Sequence, residues 1–166
     1  MSSTDALVAS NARHADSFQT PAAPAAPVTK VAVVACMDAR LDVYRALGLS
    51  PGDAHVIRNA GGAVTDDVIR SLVISQRLLG TEEIVLIHHT RCGMLGFTDD
   101  ELRTAIERDT GIRPPWASEA FTDLEADVRQ SIARLRVSPF LPHRESIRGF
   151  VYEVETGHLH EVAEHG

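Results

Sequence analysis

The stretch KVAVVAC, residues 30–36, decides the fold. After Lys30 every side chain is small or β-branched and apolar, so the segment has no polar face to turn to water. Strands of that kind are buried on both sides, as in a parallel sheet covered by helices. EEIVLIHH (82–89) has the same character until its two histidines, and AHVIRN (54–59) reads as a shorter strand. A helix is expected from Thr65 to Leu79, with Thr65 as cap, Asp66 and Asp67 in the first turn, Val68, Leu72 and Leu79 inward, and Gly80 as the stop. Thr98 and Glu101 have capping-box spacing for a helix to about Thr110, broken by GIRPPW (111–116). Phe121, Leu124, Val128, Ile132 and Leu135 recur at helical spacing, which predicts a helix over Ser118–Arg136. IRGFVYEV (147–154) and HLHEV (158–162) form a strand pair about Thr156-Gly157. Strands alternating with helices give an α/β fold: a central, mostly parallel sheet flanked by helices, with right-handed crossovers.

The chain has 166 residues, enough for a substantial core without staples. Its net charge is −7 and it has no Lys/Arg run, which argues against nucleic acid or an anionic membrane as partner. The longest apolar runs are too short to cross a bilayer. The opening MSSTDALVAS lacks a basic segment and a long apolar one, so a cytoplasmic location is expected. In that reducing compartment two cysteines point to a metal or a catalytic role more than to a disulfide.

Residues 1–29 differ from the domain at 30–166. Thr4–Phe18 suits a short helix with Leu7 and Val8 as its apolar contacts. TPAAPAAPV (20–28) should be extended and semi-rigid. The segment is either a disordered tail or an arm that packs on a partner subunit.

In sheets of this kind, sites form at the carboxyl ends of strands. Cys36 ends the first strand and His88–Cys92 follow the third. Two thiolates and an imidazole are favoured ligands of Zn²⁺, and a Cys36, His89, Cys92 set leaves a fourth position open, as catalytic zinc requires. Asp38 is the obvious group to approach that position. His89 is preferred to His88 because of its spacing to Cys92, and because adjacent strand residues point to opposite faces. His88 then supports the site or packs against the sheet. Gly61, in the loop after Asn59, can offer a backbone N–H to a bound anion and allows close approach; the other reading of NAGG is a turn before the Thr65 helix, and the two are compatible.

ACMDAR (35–40), VIRNAGG (56–62) and HHTRCGM (88–94) resemble the beta-class carbonic anhydrases, and within them the small actinobacterial branch, from about Lys30 to the C-terminus. The resemblance implies an α/β zinc lyase with one Zn²⁺ per subunit on Cys36, His89 and Cys92. It implies an Asp38–Arg40 dyad that holds Asp38 off the metal when closed as an ion pair, with Asp38 as fourth ligand when the pair opens. It implies a homodimer or tetramer, with residues 1–30 wrapping the second subunit. The reaction would be reversible hydration of CO₂ to bicarbonate and a proton by zinc-hydroxide attack. Hydrolysis of carbonyl sulfide or carbon disulfide on the same scaffold is an alternative, and a non-catalytic zinc-stabilised dimer is another. Arg91 departs from the small or acidic residue expected there; it is expected to pair with Asp99 or Asp100, or to alter the charge at the entrance. Phe97 and Trp116 are expected in the core, with a pocket wall as the other reading. His55 and His88 are the candidate proton shuttles, and His158 and His160 are expected on a solvated face.

Overall fold

The computed structural model describes residues 2–19 and 24–163. Five strands form one sheet in the order β2-β1-β3-β4-β5, from β1 (Val31–Cys36), β2 (Ala54–Asn59), β3 (Glu83–His89), β4 (Ile147–Tyr152) and β5 (Leu159–Glu161). The first four run parallel, and β5 returns antiparallel to β4 across the Thr156-Gly157 turn. Residues 32–36 of β1 are all buried, as an all-apolar interior strand requires.

The strands' alternation sends Ala32, Val34, Ile84 and Leu86 to one face. There they meet α3 (Asp66–Leu79) and α5 (Leu124–Arg136). Val33, Ala35 and Ile87 face the other way, under Leu41, Met94 and Phe121, and Cys36 joins that cluster from the end of β1. Val43 joins that face from a short helix, α2 (Val43–Leu47). The helix α4 (Asp99–Thr110) lies outside both clusters, with none of its residues buried. Thr65 caps α3 on Val68 N–H, and Gly80 closes it at φ 73°. Thr98 and Glu101 make the expected reciprocal cap on α4. Helix α5 sits so close to β4 that a Cβ on Gly149 would lie 2.3 Å from Val128 Cγ1.

Three expectations change. Helix α5 starts at Leu124 behind the Asp123 cap, not at Ser118. Asp99 engages the Ser118 hydroxyl and the Ala120 N–H, and Glu119 takes a left-handed φ of 59°, so 117–123 is irregular. Phe121 therefore leaves the helical stripe and packs in the cluster that holds Cys36 and Cys92. Helix α2 is additional; Asp42 caps it and Gly48 ends it at φ 66°. At the N-terminus, α1 (Ser3–Asp16) forms much as expected, but Leu7 and Val8 are exposed and none of its residues is buried. Part of the Pro/Ala stretch, residues 20–23, lies outside the described residues.

Candidate metal centre

Sheet register builds the site. Cys36 lies on β1 opposite Asn59 of β2, and the preceding Ala35 lies opposite Ile87 of β3, two residues before His89. Both β1 and β3 thus end at one edge of the sheet. Beyond His89 the chain turns through Thr90 and Arg91 and brings Cys92 back to that edge. The Sγ atoms of Cys36 and Cys92 are 4.0 Å apart. The ligand atoms of Cys36, His89 and Cys92 all lie within 4.8 Å of one another, and all three residues are buried.

The two histidines part company. His88 is fully buried on the helix-covered face, its Nε2 2.7 Å from Asp127 Oδ2 of α5 and its ring against Phe121. His89, also fully buried, donates from Nδ1 to the Thr90 carbonyl at 2.9 Å when its proton is placed there. That tautomer leaves the Nε2 lone pair aimed at the thiols, and Nε2 is a buried atom with no hydrogen-bond partner. A buried, unpaired acceptor is costly unless something electrophilic meets it. Two sulfurs and one such nitrogen fit a metal ion.

The three groups are electrostatically coupled. Whichever thiol keeps its proton donates across the pair, so the Cys36 thiol is pulled down, to about 4, chiefly by Cys92. The Cys92 thiol is pushed up by the same contact and by burial. Burial pulls the His89 imidazole down, but the Cys36 thiolate and the Thr90 carbonyl together lift it above its ordinary value.

Asp38 and Arg40 stand at the mouth. Arg40 Nε donates to Asp38 Oδ1 at 2.9 Å and Nη2 to Oδ2 at 2.7 Å, a bidentate pair. The Arg40 backbone N–H adds a third bond to Oδ1 at 2.9 Å. The Arg40 side chain, and then this N–H, hold the Asp38 carboxyl well below the usual carboxylate range. Asp38 Oδ2 is 3.7 Å from His89 Nε2, at the rim of the triad. Gly61 lies in the turn after β2, in the left-handed region at φ 78°, where a Cβ would come 3.1 Å from Met94 Cγ.

Sequence reasoning overlooked Arg58. Its Nε donates to the Cys36 carbonyl at 2.9 Å and its Nη2 to the Asp38 carbonyl at 2.7 Å. Both carbonyls lie where β1 ends and the chain leaves the sheet. The register signal was present, since Arg58 precedes the residue opposite Cys36. Other readings need correction. Arg91 pairs with Glu155, at 2.7 Å, because Asp99 is taken by Ser118 and Ala120, and Asp100 by Arg113. Trp116 is exposed and lines, with Asn59, Met94, Phe97 and Leu102, a groove of about 530 Å³ beside the centre. His55 is hydrogen-bonded to Ser75 near the amino end of β2, at the other end of the strand from Asn59 and Cys36. His158 and His160 are exposed, as expected.

The family model for carbonic anhydrases matches residues 31–159. Beta-carbonic anhydrase 1 of Mycobacterium tuberculosis is 59% identical over 162 residues, covering 98% of this chain and 99% of that protein. A carbon disulfide hydrolase of Acidithiobacillus thiooxidans is 40% identical over 148 residues, 76% of this chain and 74% of the relative. Among solved structures, a carbonic anhydrase from Streptococcus mutans superposes with a TM-score of 0.92 at 48% identity, covering 98% of this chain and 99% of that one.

Proposed function

The chain belongs to the beta class of the carbonic anhydrase family, and on that premise we propose that it catalyses the reversible hydration of CO₂ to bicarbonate and a proton. One zinc ion per subunit would be held by Cys36, His89 and Cys92. The observation that carries this reading is the buried sulfur-sulfur-nitrogen cluster, with its unpaired His89 Nε2 and an ionised carboxylate at its rim. When bound, zinc supplies a Lewis acid that makes water more acidic; carbonic anhydrases with three histidine ligands are the standard illustration.

The chain's own residues do the rest. Arg40 occupies both oxygens of Asp38, so the carboxylate stays charged and directed away from coordination. Its Oδ2 accepts a hydrogen bond from the reacting water and orients it towards CO₂. Thr90 fixes the His89 tautomer through Nδ1. The two carbonyl contacts of Arg58 fix the loop from Cys36 to Asp38. Gly61 offers a backbone N–H to the product anion. The apolar groove beside the centre, walled by Met94 and Phe97, suits an uncharged linear substrate.

The carbon disulfide hydrolase relative is less similar over less of the chain, and CO₂ is the substrate we favour over carbonyl sulfide or carbon disulfide. The intact Asp38–Arg40 pair speaks against a closed, non-catalytic centre. The uncovered apolar side chains of α1, Leu7 and Val8, support a homodimer or tetramer in which this arm packs on a second copy. Two reduced cysteines as ligands suit a cytoplasmic location, and no described helix is long and apolar enough to cross a membrane. Stopped-flow CO₂ hydration at mildly alkaline pH tests the activity. Turnover should vanish on zinc removal and return on reloading, and a zinc-loaded protein without turnover refutes it.

A further inference from the structure

Between His89 and Cys92 the chain has two residues in which to leave β3 and present a thiol to Cys36. Thr90 has no freedom to make the turn. Its N–H donates to the Tyr152 carbonyl at 2.9 Å, its hydroxyl accepts from Val154 N–H at 3.2 Å, and its carbonyl accepts from His89. Cys92 opens the next turn, its carbonyl accepting from Leu95 N–H at 3.2 Å. The reversal therefore falls on Arg91, at a left-handed φ of 56°.

Left-handed backbone is unfavourable for a residue with a Cβ, and arginine is not among those that tolerate it, as Gly, Asn and Asp do. The side chain gives no reason for the strain. Its guanidinium reaches outward to Glu155, and both groups are mostly exposed. The backbone supplies the reason. The turn aims the Arg91 carbonyl at Arg40 Nη2, which donates to it at 3.0 Å. The same nitrogen donates to Asp38 Oδ2 at 2.7 Å. One nitrogen thus joins the turn that carries His89 and Cys92 to the carboxylate at the rim. Strain retained by several converging contacts is characteristic of functional turns.

We propose that Arg91 is a positioning residue: its left-handed backbone fixes the Arg40 guanidinium, and through it the Asp38 carboxylate, against the metal centre. The kinetic part of the test rests on the CO₂ hydration reading; the spectroscopic part does not. Arg91→Gly, Arg91→Asn and Arg91→Val all remove the guanidinium and its pair with Glu155. They differ in backbone preference, since Gly and Asn accept positive φ and a β-branched residue resists it. Zinc content should stay full in all three. We expect kcat within about twofold of the wild type for Gly and Asn. For Val we expect a fall of about tenfold or more with little change in KM, the pattern of a misplaced group that acts beyond substrate binding. In ¹⁵N spectra the Arg40 Nε–H signal, assigned by its loss in Arg40→Lys, should stay sharp in the wild type, Gly and Asn variants and broaden in Val. Arg91→Ala takes the place of Val if that variant loses zinc.

Equal loss of kcat in all three variants would assign the effect to side-chain charge and overturn the proposal. Three variants unchanged in both readouts would overturn it too. If the zinc-loaded wild type does not hydrate CO₂, the functional reading fails and the Arg40 signal alone decides. A sharp signal in the Val variant then refutes the positioning role.

Discussion

Gly62 is the position where one methyl group should do most harm to the site. Its φ is +72°, and a Cβ there would lie 3.0 Å from the Cys36 backbone N, 3.1 Å from the Ala35 carbonyl carbon and 3.1 Å from the Ile87 carbonyl oxygen. All three are main-chain atoms at the ends of β1 and β3, so no flexible side chain can move aside. Gly48 provides the control. Its φ is +66°, and a Cβ there would meet nothing within 4 Å. A left-handed alanine costs about 1–2 kcal/mol, offset by about 0.4–1 kcal/mol from the stiffer unfolded chain, so Gly48→Ala should lose roughly 1 kcal/mol. Gly62→Ala carries the same backbone terms plus overpacking of about 1–3 kcal/mol, for roughly 2–4 kcal/mol in all. Typical domains are stable by about 5–15 kcal/mol, so the variant should still fold but with a clearly lower urea midpoint. The wall is made by the backbone beside two proposed zinc ligands, so Gly62→Ala should also bind zinc more weakly than Gly48→Ala. Urea unfolding of the zinc-loaded proteins, with zinc stoichiometry on the same samples, reads both effects. Two variants equal within about 0.5 kcal/mol and equal in zinc content would refute the reasoning.

Cys92→Ser should lose zinc and lower the melting temperature, since metal binding is coupled to folding; full zinc content in the purified variant sinks the ligand assignment. Asp38→Ala should keep its zinc and lose turnover by about 10²–10⁴-fold, the range for a positioned proton-handling group. Wild-type turnover in that variant removes the carboxylate from the reaction. Asp99 is held below the ordinary carboxylate range, first by the Ser118 hydroxyl and then by the Ala120 N–H. Its contribution is therefore complete above the unfolded value of about 3.9 and disappears as pH falls through the lower folded one. The stability gap between wild type and Asp99→Asn should stay constant from pH 7 to pH 5 and close in acid, whereas a gap that widens in acid contradicts the assignment.

Much of the fold was legible because β1, β3, α3 and α4 follow local rules. Apolar runs, caps and left-handed glycines act within a few residues of themselves, and Thr65, Thr98 and Gly80 do what their types predict. The start of α5 was misread for a non-local reason. Phe121 has helical spacing to Leu124 and Val128, but Asp99, twenty-two residues earlier in the chain, captures Ser118 and Ala120 and diverts Phe121 to the other cluster. The Cys36–His89–Cys92 cluster was legible because strand alternation separates His88 from His89 without tertiary information. Arg58 and the Arg91–Glu155 pair were not, because guanidinium groups reach partners that only the assembled sheet defines.

That contrast separates two ways of placing a functional group. Cys36 and His89 lie at strand ends, where the β1–β2 ladder sets Cys36 opposite Asn59 and the β3–β4 ladder sets His89 opposite Tyr152, and a local change would have to shift the sheet to move them. Asp38 lies two residues and Cys92 three residues beyond the last ladder residue of their strands. Their positions depend on side-chain and turn contacts outside the sheet: Arg58 and Leu41 N–H to the Asp38 carbonyl, Arg40 to the Asp38 carboxylate and the Arg91 carbonyl, and Leu95 N–H to the Cys92 carbonyl. Substitutions at the tethers should therefore alter Asp38 before they alter the fold. Substitutions that wedge the strands apart, as at Gly62, should alter metal binding and stability together. If Arg58→Gln lowered stability and zinc content as much as Gly62→Ala does, this division between ladder-held and tether-held groups would be wrong.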